Sequence, residues 1–140
     1  MTRASAAAAA AALLAALAGG CEKSDRLAVH KTHGKLVRPG PPVAGLGVTF
    51  HPADPSAPSA GINPTGVVNP DGTFAVTTYN RHDGAPAGEY VVTVDEAPRD
   101  PSQPRPALPP AKYRDARTSP LRATVAAQPV NDLEPFVLTP

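Results

Sequence analysis

In 140 residues the chain carries thirteen Lys and Arg against twelve Asp and Glu, a formal charge of +1. That leaves room for one domain and no basic surplus to displace counterions from phosphates, which argues against a nucleic-acid partner. Nineteen prolines, eleven glycines and no tryptophan favour loops and strands. The single cysteine, Cys21, excludes an internal disulfide and a multi-cysteine zinc site.

Residues 1–20 have the pattern of a removable signal. Arg3 supplies a positive start, and 4–18 is an apolar stretch interrupted only by Ser5. As a helix it would extend about 22 Å, short of the roughly 30 Å hydrocarbon core, so it suits a signal segment better than a membrane span. Leu17-Ala18-Gly19-Gly20-Cys21 follows and resembles the bacterial lipobox, in which small residues precede a cysteine that is alkylated with diacylglycerol before cleavage. The match departs at Ala18, where the lipobox prefers Leu; Leu17 stands one place earlier. The resemblance implies lipidation of Cys21 and anchoring through acyl chains, two of which suffice for stable attachment. Glu22 to Arg26 then form a polar tether, so 21–26 joins the anchor to a domain over 27–140. Without the leader, twelve basic side chains face twelve acidic ones.

From Leu27 onward the hydrophobic pattern has period two, with turn residues at short intervals, which predicts an all-β sandwich. Strands are expected over 27–37, 43–51, 62–68, 73–79, 89–94, 121–126 and 133–138, seven in all, with no helix after the leader. Val48 and Phe50 should share one face of the second strand, and Thr49 and His51 the other. Pro64 marks the third strand, and Pro135 the last, as edge strands. Asn69-Pro70-Asp71-Gly72 is the best turn, with proline and glycine placed to close a hairpin. Tyr90, Val92 and Val94 should face inward, with Val91 and Thr93 outward. A further turn is expected around 128–132. Residues 95–112 contain six prolines and are predicted to form a long loop, functional or mobile.

Val48-Thr49-Phe50-His51-Pro52, Asp71-Gly72-Thr73-Phe74 and the run from Asp83-Gly84-Ala85-Pro86 through Gly88-Glu89-Tyr90 to Val94 resemble a family of bacterial lipoproteins with a carboxypeptidase-regulatory-like, or transthyretin-like, domain. Pro110-Ala111-Lys112-Tyr113, Thr118-Ser119-Pro120-Leu121 and Asn131 extend the likeness, which covers roughly 34–138. It implies a seven-stranded Greek-key sandwich without catalytic residues. The related urate-pathway hydrolases end in Tyr-Arg-Gly-Ser. This chain ends Phe136-Val137-Leu138-Thr139-Pro140, which does not match them.

The residues that could carry chemistry have simpler readings. His30 and His33, three apart on a strand, point to opposite faces and cannot share a metal. His51 and His82 lie at strand ends or loops. Asp71, Asp83, Asp95 and Glu96 offer oxygens for calcium, but Asp71 and Asp83 are placed as turn residues. Ser56, Ser59, Ser102 and Ser119 lie in proline-rich loops without an evident base. Tyr90 starts a strand where sandwich folds bury the ring and bond the hydroxyl to backbone. Tyr79 and Tyr113 are the candidate ligand contacts, as a sugar-stacking platform. The expectation is therefore a non-catalytic, lipid-anchored module of the cell envelope facing the periplasm or exterior, with no metal or cofactor. The alternative is a carbohydrate-binding module, and an envelope protein or glycan is the class of partner in view.

Overall fold

A computed structural model describes residues 26–140. The expected leader, Cys21 and nearly all of the tether therefore lie outside the described residues. Nine strands are present among the described residues: β1 (Val29–Val37), β2 (Leu46–Pro52), β3 (Thr65–Val67), β4 (Thr73–Ala75), β5 (Ala85–Pro86), β6 (Gly88–Glu96), β7 (Arg122–Val125), β8 (Val130–Asp132) and β9 (Phe136–Val137). A single 3-10 turn, Ala111–Arg114, precedes β7.

The strands form two sheets, as an all-β sandwich requires. The first is built around β1, which pairs antiparallel with β4 and β5 and parallel with β8 and β9. His33 is paired with Ala75 of β4 and with Asp132 of β8, so those two strands flank β1 on opposite sides. The second sheet is antiparallel in the order β3-β2-β6-β7. Each of the seven expected strands has a counterpart, usually shorter. β5 has no expected counterpart, and β8 overlaps the turn expected around 128–132.

Between the sheets lies one core. Val48 and Phe50 from β2, Tyr90, Val92 and Val94 from β6, and Phe74 beside β1 are all buried. Alternation put these side chains inward, and fully burying each contributes about 1.5–3 kcal/mol. The Phe50 ring meets Tyr90 edge-on at 5.7 Å, and Phe74 stacks on Phe136 at 6.1 Å, joining β4 to β9 across β1. Gly34 makes this possible. It lies opposite Phe74 in the β1–β4 register, and a Cβ there would stand 2.3 Å from the ring's Cζ.

The structure departs from expectation at identifiable places. The Asn69–Gly72 turn forms, with the Gly72 N–H on the Asn69 carbonyl at 2.9 Å and the Asp71 carboxylate accepting the Thr73 N–H at 3.0 Å. Yet it joins strands of different sheets, tied to one another by an isolated bridge at Thr65–Thr77. The turn is a corner of the sandwich, not a hairpin within one sheet. Thr93, expected outward, is almost fully buried, with its hydroxyl 2.9 Å from His51 Nε2.

The proline-rich segment is narrower than expected, because β6 runs on to Glu96 and the 3-10 turn takes 111–114. It is also pinned. Arg38 donates to the carbonyls of Pro41, Pro42 and Ala107 at 2.7–2.9 Å. Glu96 holds Arg99 at 2.7 Å and Arg105 at 3.2 Å. Proline removes backbone donors, so side-chain guanidinium groups satisfy the carbonyls that no ladder can reach.

Candidate functional site

Just before β1 the chain is fastened to Tyr79. The Leu27 N–H donates to the Tyr79 hydroxyl at 3.1 Å, and the Arg26 guanidinium lies 5.0 Å from the ring centre. Tyr79 is itself set by Asp83, whose carboxylate accepts the N–H groups of Thr78, Tyr79 and Asn80 at 2.8, 3.0 and 2.9 Å. Partial burial works to raise the Asp83 carboxyl, but the three backbone donors prevail and hold it below the usual carboxylate range. Gly84 closes the turn at φ +103°, where an added Cβ would collide with the His30 carbonyl. His82, the one non-glycine residue with positive φ among the described residues, donates its N–H to Thr77 Oγ1 at 2.9 Å.

Tyr90 takes the expected place. Its ring is buried and its hydroxyl donates to the Pro86 carbonyl at 2.6 Å, four residues upstream. Tyr113 differs from its expected part in a sugar-stacking platform. It is 2 % exposed within the core cluster, and its hydroxyl accepts the Thr139 N–H at 2.8 Å, fixing the C-terminal segment. Tyr79 remains half-buried, with its hydroxyl and one ring face in use. Tyr79 fastens residues 26–27 and Tyr113 the C-terminal segment, and nothing in the geometry brings the two together into one platform.

Most of the remaining candidates have structural partners. His30 and His33 fall on opposite sides of β1, His33 exposed and His30 half-buried. Burial lowers the His51 imidazole. Asp71 is taken up by Thr73, Asp95 by the Glu96 N–H, and Glu96 by two arginines. Ser56 and Ser102 bond neighbouring aspartates, Ser119 donates to the Val92 carbonyl, and Ser59 is buried beside Tyr90. Among the described residues, no group of three or more His, Cys, Asp or Glu side chains could hold a metal ion. Among them, too, no helix is long and apolar enough to cross a membrane.

The outward face of the first sheet has a character of its own. Lys31, His33 and Lys35 alternate along β1 and are all exposed. Val130 lies beside Lys31, and Val137 beside Val37, in register. Where β8 gives way to β9, a depression of about 370 Å³ opens, lined by His33, Lys35, Asn69, Thr73, Asp132 and Leu133 among others. A smaller cleft of about 180 Å³, near Arg38, Leu108 and Leu138, is floored largely by proline.

No protein-family model, curated protein or solved structure matches the chain significantly.

The structure gives weight to four residues to which sequence reasoning assigned no role. Arg38 latches the proline-rich segment. Asn131 accepts the Ala126 N–H at 2.9 Å and donates to the Ala126 carbonyl at 3.0 Å, closing the passage from β7 to β8. Lys31 and Lys35 flank His33 on one face, a pattern visible in the alternation of 29–37 once β1 is accepted as a strand.

Proposed function

We propose that this chain is a lipid-anchored module of the cell envelope, facing the periplasm or exterior, that binds or supports a partner and does no catalysis. The observation that carries the reading is Leu17-Ala18-Gly19-Gly20-Cys21, with Cys21 the only cysteine and at the end of an apolar segment. The fastening of Arg26 and Leu27 to Tyr79 supports it, because a domain that starts only a few residues beyond the acylated cysteine needs a firm first attachment. The two-sheet architecture suits the transthyretin-like Greek-key arrangement of seven principal strands, with β5 and β8 as short additions. A glycan-binding role would need a surface other than the Tyr79–Tyr113 pair.

The test is expression of the full chain in a bacterial host, with fractionation and mass spectrometry of the N-terminal peptide. The expected result is membrane-associated protein beginning at Cys21 with its acyl mass, and loss of membrane association in Cys21→Ser. Mature protein that is soluble and unacylated would overturn the proposal.

A further inference from the structure

We propose that the outward face of the first sheet, carrying Lys31, His33 and Lys35 with Val37, Val130 and Val137, lies against a lipid surface bearing acidic headgroups. The inference rests on the lipid-anchor reading and adds an orientation to it. Three observations carry it.

The first is charge. All three outward polar positions along β1 are basic side chain types, whereas the acids on this face are Asp132, beside His33, and Asp71, near Lys35 and already bonded to Thr73. The strands of the second sheet contain no lysine; there β6 exposes Glu89 and Asp95, and β7 exposes the single arginine Arg122. The two broad faces of the sandwich therefore differ in sign.

The second is apolar exposure. Five large hydrophobic side chains stand exposed among the described residues, and three of them share this face: Val37 at 40 %, Val130 at 44 % and Val137 at 55 %. Lysines with aliphatic neighbours suit the boundary between headgroups and acyl chains, where the ammonium groups meet phosphate and the valines leave water.

The third is reach. Five residue steps lead from Cys21 to Arg26 and extend no more than about 18 Å. The stripe begins at Lys31, on the strand this tether leads into. An acylated cysteine so close raises the effective concentration of lipid at the face, so weak electrostatic attraction is enough to orient the domain.

The experiment uses the purified, acylated full-length protein, whose thiol is consumed, so one added cysteine can take an environment-sensitive fluorophore. Val130→Cys places the dye on the proposed face, and Thr124→Cys on the outward side of β7. In vesicles with about one-third acidic lipid, the dye at 130 should shift to shorter wavelength and the dye at 124 should not. Lys31→Glu with Lys35→Glu should abolish the shift, and neutral vesicles should give none. No shift at 130, or equal shifts at both positions, overturns the orientation.

The mass of the N-terminal peptide separates the two levels. If Cys21 is unmodified, the anchor reading fails, and co-sedimentation of that unacylated protein with acidic vesicles at low salt then decides the face. Binding weakened about tenfold or more by the two lysine substitutions supports it. Absent binding, binding indifferent to them, or charge-dependent binding only to a soluble acidic polysaccharide overturns it.

Discussion

Asp83 shows how one side chain can organise a turn that composition would leave loose. Its carboxylate closes on three consecutive N–H groups, and the tyrosine that receives the start of the domain is among the donors. Because the folded carboxyl titrates below its unfolded value, its contribution to stability is complete above about pH 4 and is lost as pH falls through the native value. Asp83→Asn should therefore lower stability at neutral pH and flatten the acid limb of the unfolding midpoint plotted against pH. Asp83→Ala should cost about 1–3 kcal/mol in urea denaturation at pH 7. Tyr90→Phe keeps the buried ring and removes the bond to the Pro86 carbonyl, so the same measurement should register a loss of about 1 kcal/mol. Tyr90 was legible in advance from its place after Gly88-Glu89. The bond network of Asp83 was not, since an Asp-Gly pair announces a turn without saying which amides its carboxylate will find.

Strands depend on what faces them, and β1 depends on having a glycine at 34. The missing Cβ admits the Phe74 ring, which in turn stacks on Phe136 of β9. Gly34→Ala should destabilise by about 1–3 kcal/mol through overpacking. Combining it with Phe74→Leu should cost less than the sum of the two single changes, a coupling that thermal or urea unfolding would read. The proline-rich segment is also an element, although it lacks regular structure. Arg38→Ala should raise amide hydrogen exchange over 97–110 while leaving that of β2 and β6 unchanged, and Arg38→Lys should not restore protection, since an ammonium cannot span three carbonyls as a guanidinium does. Prolines told of a long loop here. Which side chain would tie it down depended on bringing Arg38 beside Ala107, sixty-nine residues away.

At the scale of the molecule, the domain holds together by packing between two sheets. With Cys21 the single cysteine, its unfolding midpoint should be the same with and without reductant, and a difference would point to a covalent link that the chain cannot form internally. The sequence by itself determined the lone thiol, the strand pattern and most inward positions, because alternation and turn residues act over a few neighbours. Tertiary structure alone decided that the Asn69–Gly72 turn is a corner between sheets and that β8 and β9 return parallel to β1. It also turned Tyr113 inward and set Val130 and Val137 on the face along which Lys31, His33 and Lys35 alternate. Pairing partners and shared faces come from contacts between residues far apart in the chain, and local spacing carries no record of them.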